Sequence, residues 1–282
     1  MSKFFNEIQK ADELALKQLE AQKLDFEQVL QTVETGPVAS PNVAGVEPDS
    51  QRKRENPNNG NGMPPVLRRD SSAQAAFEGY QRLRTRLMRI QAKTGVRVIA
   101  ISSSQVGEGK TLTTMNLGLC FAQLSDSRVL MIDTDLRSRG LTRLLGLSDG
   151  PGLAGVLTGE VSQEEAILAT DHENLFVMPA GSALTPPPEL FTGPRWEEIL
   201  GLSRKSFKIV MVDTPPILPL ADFELISSAC DGVLMVVRAR RTSRELLQKT
   251  VGAIDAKKLL GTVFNATEVS SKNYYGYANH SR

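Results

Sequence analysis

Six short apolar runs of four to seven residues, separated by helical stretches, dominate the chain between residues 96 and 265. The runs are Val96–Ser102, Arg128–Asp133, Leu175–Met178, Lys208–Asp213, Gly232–Arg238 and Gly261–Asn265. Continuous apolar runs of this length are typical of strands that are buried on both faces of a sheet. Because such strands are joined by crossover helices, the pattern predicts a doubly wound α/β domain with a mainly parallel sheet and helices on both faces.

Changes in composition divide the chain into four parts. Residues 1–35 carry apolar side chains at helical spacing among charged ones, which predicts an amphipathic helical segment. Residues 36–72 hold six prolines among Gly, Asn, Ser and charged residues, which predicts a flexible linker. The folded domain is predicted over residues 73–265, opening with a helix over Ala73–Gln91, and residues 266–282 are predicted to form a flexible, tyrosine-rich tail.

Composition excludes several classes of protein. Lys and Arg number 33 against 32 Asp and Glu, so a dedicated nucleic-acid binder is not expected. Two cysteines and two histidines exclude a disulfide scaffold and a histidine-rich metal site. No apolar stretch approaches the ~18–20 residues that span a bilayer, and the N-terminus lacks the apolar core of a signal peptide. We therefore expect a cytoplasmic chain without a membrane span of its own.

A phosphate-binding motif follows the first apolar run. Ser104-Gln-Val-Gly-Glu-Gly-Lys-Thr111 fits the pattern G-x-x-x-x-G-K-[ST] except at its first position and precedes a helical stretch over Leu112–Leu124. Gly107 and Gly109 let backbone N–H groups turn inward around phosphate oxygens. Lys110 can reach the β- and γ-phosphates, and the Thr111 hydroxyl can ligate Mg²⁺. The alternative is an ordinary glycine-rich turn. The motif predicts a sheet of the P-loop NTPase type that binds ATP and Mg²⁺. The predicted nucleotide contacts are Ser104, Gln105, Val106, Gly107, Glu108, Gly109, Lys110, Thr111 and Leu112.

Acidic residues follow two further apolar runs. The second run ends in Asp133-Thr-Asp135-Leu-Arg137, and the fourth ends in Asp213-Thr-Pro-Pro216. Ligands of open α/β sheets bind at the carboxyl ends of the strands, so these side chains and Arg137 are candidate site residues. An apolar strand ending in Asp is the Walker B arrangement, whose carboxylate belongs to the Mg²⁺ shell. For the first group the alternative is a solvated loop. Asn265, at the end of the last run, is a candidate contact for the nucleotide base.

Together, these motifs resemble the bacterial tyrosine kinases (BY-kinases) of capsule and exopolysaccharide synthesis, from about Ala73 to the C-terminus. Ser104–Thr111 is similar to the family's Walker A, Ile132–Arg137 to its Walker A′ and Val210–Pro216 to its Walker B. Tyr274-Tyr-Gly-Tyr277 resembles its autophosphorylated tyrosine cluster.

The resemblance implies an ATP-dependent protein-tyrosine autokinase that regulates exopolysaccharide or capsule synthesis and export. It implies that Asp133 is the base that receives the tyrosine proton, with Thr111 and Asp213 in the Mg²⁺ shell and Asp135 in support. The predicted catalytic residues are Lys110, Asp133, Asp135 and Asp213, and the predicted metal ligands are Thr111, Asp135 and Asp213. The implied partners are a membrane-embedded polysaccharide co-polymerase that activates the kinase, a tyrosine phosphatase and further copies of the chain. The expected location is peripheral to the inner membrane, through that partner.

Three of the four tyrosines fall in the last nine residues, among polar neighbours. Tyr274, Tyr275 and Tyr277 are therefore candidate phosphoacceptors, although a polar tail without a special role is the alternative. Geometry leaves open whether they enter their own site or a neighbour's, and the family implies the neighbour's.

One sequence motif bears on assembly. The family's E-x-x-R-x-x-R assembly motif is represented by Glu78, Arg82 and Arg84, with Gln81 at the middle Arg position. This departure predicts a weaker, concentration-dependent oligomer.

Two other functions fit the same motifs. Partitioning and septum-positioning ATPases share the sheet, but they carry a signature Lys at the position of Gln105. A non-catalytic regulator could bind nucleotide and offer its tail for docking. Phosphotyrosine formed by the purified protein with ATP and Mg²⁺ would separate the three.

Overall fold

The computed structural model describes residues 71–147, 150–182, 187–218 and 222–267. The predicted N-terminal segment, nearly all of the linker and the three tail tyrosines lie outside these residues. The elements are, in order, α1 (Ser71–Thr94), β1 (Val98–Ser103), α2 (Lys110–Ala122), β2 (Val129–Asp133), α3 (Gly140–Leu144), α4 (Leu153–Thr158), α5 (Gln163–Ala166), β3 (Leu168–Ala169), β4 (Leu175–Met178), α6 (Pro187–Phe191), α7 (Arg195–Ser206), β5 (Ile209–Asp213), α8 (Asp222–Ser228), β6 (Gly232–Arg238), α9 (Arg244–Gly252) and β7 (Leu259–Asn265).

The strands form one sheet in the order β3-β4-β2-β5-β1-β6-β7. Every pair is parallel except β3 with β4. The chain runs from β1 past β5 to β2, and later from β5 past β1 to β6, so the direction of the crossovers reverses beside β1. Ligands of open α/β sheets bind at such a switch point. The doubly wound fold predicted from the apolar runs is confirmed.

Burial on both faces explains why the strands are continuously apolar. Along β1, Val98 and Ala100 pack into one apolar cluster, and Ile99 and Ile101 pack into the other. The first cluster includes the fully buried Trp196 of α7, and the second includes side chains of α1 and α2. A polar side chain on either face of these strands would therefore lose its hydration.

The two cysteines are core thiols. Burial raises the pKa of Cys120 to about 11 and that of Cys230 to about 12. A thiol with so high a pKa is a poor nucleophile or metal ligand at neutral pH.

The structure adds elements that the sequence pattern did not indicate. The short helices α3 to α6 and the two-residue strand β3 occupy the region between β2 and α7. The first helix begins at Ser71 and ends at Thr94, a little beyond the predicted bounds at each end. Among the described residues, no helix is both long enough and apolar enough to cross a membrane.

Candidate nucleotide-binding site

The phosphate loop, residues 104–109, connects β1 to the N-terminus of α2. Gly107 and Gly109 have φ angles of 84° and 100°, in the left-handed region that favours glycine. A Cβ atom on Gly109 would lie 1.9 Å from the Asn265 Nδ2 atom, so a larger residue would collide. No side chain of the described residues caps α2, which leaves the positive end of the helix facing the loop. A loop of this shape fits a phosphate group.

Four predicted residues meet at this loop. Lys110 Nζ lies 3.2 Å from Asp135 Oδ2 and 4.0 Å from Asp213 Oδ2. The Thr111 hydroxyl donates a hydrogen bond of 2.7 Å to Asp213 Oδ2, and the Thr114 hydroxyl donates one of 3.3 Å to its Oδ1. Both carboxylates are buried. The structure therefore gathers one lysine, two carboxylates and two hydroxyl groups at the start of α2.

Asp133 is held differently. It lies opposite Asp213 in the register of β2 and β5 and is fully buried. The backbone N–H and the hydroxyl of Thr142 both donate to its Oδ2, at 2.8 and 2.7 Å, and the Asp135 N–H donates to its Oδ1 at 3.2 Å. The Thr142 hydroxyl also accepts a hydrogen bond of 3.0 Å from the Ala180 N–H. Thr142, in α3, thus fixes the orientation of the predicted base.

Burial raises the pKa values of two of the acidic side chains. The pKa of Asp213 is raised to about 7, chiefly by burial and also by the charge of Asp133, while Lys110 and the Thr111 hydroxyl act to lower it. Burial also raises the pKa of Asp133, against the hydrogen bonds from Thr142, which lower it. Lys110 alone cannot balance three carboxylates, so a divalent cation would stabilise their charged forms.

The donor set fits Mg²⁺ bound together with a nucleotide. No group of three or more His, Cys, Asp or Glu side chains within the described ranges is arranged to hold a metal by itself. Mg²⁺ commonly takes one or two carboxylates and completes its shell with water and substrate phosphates. The Thr111 hydroxyl and the carboxylates of Asp135 and Asp213 are the oxygen ligands available here.

The other predicted nucleotide contacts occupy varied positions. Ser104 is buried, and its hydroxyl oxygen has no hydrogen-bond partner among the described residues. Val106 and Leu112 are exposed. Arg137 pairs with Asp222, its Nε atom 3.3 Å from the carboxylate.

Two further residues predicted to contact the nucleotide, Asn265 and Glu108, instead contact other parts of the protein. Asn265 donates from Nδ2 to the Glu108 carbonyl at 2.9 Å, so its amide contacts the loop backbone. The Glu108 side chain turns into the protein and is fully buried.

The assembly motif is divided between two environments. Arg82 Nη2 lies 3.9 Å from Glu78 Oε2 on the outer face of α1. Arg84 instead reaches α2 of the same chain, where its Nη1 atom donates to the Cys120 carbonyl at 2.5 Å. The role of these residues in an oligomer stays a prediction.

Sequence reasoning missed two groups of polar contacts. Thr142 follows Asp133 by nine residues through a loop, and no spacing rule connects the two. Thr242 and Arg238 both contact the phosphate loop, and no pattern in the sequence predicts those contacts.

A phosphate loop after a central strand, with acidic residues at the ends of two neighbouring strands, defines a P-loop NTPase. Residues 96–260 match the AAA domain family. Tyrosine-protein kinase YwqD of Bacillus subtilis is 32% identical over 202 residues, which cover 71% of this chain and 85% of the relative. The succinoglycan biosynthesis transport protein ExoP of Rhizobium meliloti is 31% identical over 184 residues, covering 64% of this chain but only 23% of ExoP.

Solved structures with a similar fold indicate the same class of protein. The kinase domain of Escherichia coli tyrosine kinase ETK aligns with a TM-score of 0.64 and 27% identity, over 76% of this chain and 85% of that one. The septum site-determining protein MinD of Pyrococcus horikoshii, complexed with Mg-ADP, aligns with a TM-score of 0.52 and 26% identity, over 62% and 72%. The chain belongs to the bacterial tyrosine-protein kinases of the P-loop class. The predicted family, fold and enzyme class are confirmed.

Proposed function

We propose that the chain is an ATP-dependent protein-tyrosine autokinase that phosphorylates its own C-terminal tyrosines and regulates exopolysaccharide or capsule synthesis and export. The observation that carries the proposal is the meeting of Lys110, Thr111, Asp135 and Asp213 at the N-terminus of α2, in a member of the tyrosine-kinase family. This arrangement supports binding and transfer of a phosphoryl group.

Each site residue has a chemical role in the proposal. The loop N–H groups and Lys110 bind the β- and γ-phosphate oxygens and offset the charge that develops in the transition state. Thr111 and Asp213 would hold Mg²⁺, which would neutralise the phosphate charge when bound. A phenol has a pKa near ~10, so a nearby carboxylate assists its attack. Asp133, whose pKa is raised by burial, is suited to accept that proton.

The bond changes balance without a further reactant. The tyrosine oxygen bonds to the γ-phosphorus while the bond from that phosphorus to the β,γ-bridging oxygen breaks. The phenolic proton passes to Asp133, and the electron pair of the broken bond leaves with ADP. Phosphotyrosine and ADP are the products.

The origin of the tail supports its use as substrate. Strand β7 ends at Asn265, whose side chain contacts the phosphate loop. Tyr274 lies nine residues further on, an extended reach of at most ~30 Å. The tail can therefore reach a site on its own chain or on a neighbour. Following the family, we assign it to a neighbour's site in a homo-oligomer.

The partners are proposed from the relatives. ExoP is a transport protein of succinoglycan biosynthesis, and this chain covers 23% of it. Following the family resemblance, we propose a membrane-embedded co-polymerase as the partner that activates the kinase and holds it at the inner membrane. A tyrosine phosphatase would reset the tail.

A mixing experiment tests the proposal. Lys110→Met removes the phosphate-binding charge but leaves the tail tyrosines in place, whereas the variant with Phe at positions 274, 275 and 277 keeps the site but has no tail acceptors. Each variant alone should form little phosphotyrosine with Mg-ATP, and their mixture should phosphorylate the Lys110→Met protein. Phosphate located by mass spectrometry at Tyr80 alone would refute the tail as substrate. ATP hydrolysis without phosphotyrosine would refute the kinase in favour of an ATPase.

A further inference from the structure

The carboxylate of Glu108 faces away from the space in front of the phosphate loop. It is fully buried, and its Oε2 atom accepts hydrogen bonds from the N–H groups of Ser104 and Gln105, at 2.7 and 3.3 Å. Its Oε1 atom accepts a hydrogen bond from the hydroxyl of Thr242. Glu108 therefore ties the first half of the loop to a residue 134 positions further along the chain.

Thr242 lies in the segment between β6 and α9, and Arg238, the last residue of β6, also contacts the loop. The Thr242 hydroxyl is also 3.2 Å from the Arg238 carbonyl, and only 4% of Thr242 is exposed. Arg238 donates from Nη1 to the Gly107 carbonyl at 2.9 Å. Asn265, at the end of β7, donates to the Glu108 carbonyl. We call Glu108, Arg238, Thr242 and Asn265 the loop brace.

The loop needs such support because its own sequence is permissive. Two of its six residues are glycines with left-handed φ angles, and glycine loses the most conformational freedom when it is ordered. A loop that already has its bound shape binds its ligand with less entropic loss. A buried carboxylate, moreover, is stable only where hydrogen-bond donors surround it. The Thr242 hydroxyl completes that set.

We propose that Glu108 and Thr242 are positioning residues that hold the phosphate loop in its nucleotide-binding shape. The segment after β6 thereby sets the affinity for nucleotide. The inference rests on the proposed nucleotide binding, and it adds a role for residues that make no part of the Lys110 and carboxylate cluster.

Matched threonine variants of the full chain test the brace. Thr242→Val keeps the shape of the side chain but removes the hydroxyl, whereas Thr242→Ser keeps the hydroxyl. Thr250→Val is the control, because Thr250 is a buried threonine in α9 whose hydroxyl donates to the Leu246 carbonyl at 2.7 Å, within the helix. The probe is Mg-ADP, titrated by calorimetry, so that no turnover occurs. A second readout is the rise in Tm at saturating Mg-ADP.

Thr242→Val should weaken Mg-ADP binding about tenfold, which corresponds to ~1.4 kcal/mol and lies near the lower end of what a hydrogen bond to a charged group contributes. Thr242→Ser and Thr250→Val should stay within about twofold of the wild type. Wild-type affinity in Thr242→Val would overturn the inference, as would an equal loss in Thr250→Val, since the effect would then reflect general destabilisation.

Arg238→Met provides a second variant that does not disturb the core, because Arg238 is exposed. It removes the donor to the Gly107 carbonyl and should weaken Mg-ADP about threefold, and unchanged affinity would contradict the brace. A different result would refute the proposed kinase function. A wild type that binds Mg-ADP but forms no phosphotyrosine would refute the kinase and leave the brace intact.

Discussion

The two flanks of the phosphate loop are built on opposite principles. On the carboxylate flank, the ends of β2 and β5 present Asp133, Asp135 and Asp213, three buried acids with Lys110 as their nearby cation. On the brace flank, the end of β6, the segment after it and the end of β7 contact the loop itself through neutral or cationic donors. The buried carboxylates of the first flank carry negative charge that a bound cation can neutralise. On the second flank, the polar groups already have hydrogen-bond partners.

This contrast assigns different tasks to the two flanks. Buried charges with raised pKa values occur where a cation or a proton is to be received. Satisfied hydrogen bonds to a loop backbone fix its shape and contribute to affinity without taking part in bond breaking. We therefore expect substitutions on the carboxylate flank to change the rate of phosphoryl transfer, and substitutions on the brace flank to change nucleotide affinity.

The largest expected effect comes from Lys110. Lys110→Met removes the charge that offsets both the acids and the transferred phosphoryl group, and the initial rate of autophosphorylation should fall at least about a thousandfold. The control is Lys93→Met, an exposed lysine in the last turn of α1, which should leave the rate unchanged. Phosphotyrosine near the wild-type level in Lys110→Met would mean that the loop does not bind the transferred phosphate.

A smaller effect concerns stability without ligand. Because the folded-state pKa of Asp213 is about 7, above its ordinary value of 3.8, the native state binds more protons than the unfolded state between these pH values. The contribution of Asp213 to stability is thus present below about pH 4 and is lost as the pH rises to about 7. Asp213→Asn should raise the Tm at pH 8 by about 3–6 °C and have little effect near pH 4. A variant no more stable than the wild type at pH 8 would contradict the assigned burial of charge.

The smallest expected effect concerns Thr142. Burial raises the pKa of Asp133 and the hydrogen bonds from Thr142 lower it, so Thr142→Val, which removes only the hydroxyl donor, should raise that pKa further. The acidic limb of the pH–rate profile should then move to higher pH, whereas Thr142→Ser, which keeps the hydroxyl, should leave it in place. An unshifted profile in the valine variant would mean that Asp133 is not the group whose ionisation limits the rate.

The carboxylate flank was predictable from sequence, and the brace flank was not. Asp133 and Asp213 end continuous apolar runs, and a charge at the end of a buried strand signals a site by local pattern alone. Thr242 meets Glu108 only because β6 lies beside β1, and this pairing joins residues too distant in sequence for any spacing rule.

The fold, too, was predictable from the sequence only in part. Strands buried on both faces can be recognised in the sequence because each residue must be apolar, as along Val98–Ile101. The short helices α3 to α6 owe their place to tertiary contacts instead. A Cβ atom on Gly152, for example, would lie 2.5 Å from the Gly181 backbone nitrogen, a close approach that no local propensity encodes.

Steady-state autophosphorylation kinetics of one variant from each flank test the central contrast most directly. With ATP as the varied substrate, Asp133→Asn should lower kcat about a hundredfold and leave KM within about threefold, because it removes the base but none of the phosphate contacts. Thr242→Val should raise KM about tenfold and leave kcat within about threefold. If both variants change the same parameter, or if Asp133→Asn keeps the wild-type kcat, the division of labour between the flanks is wrong.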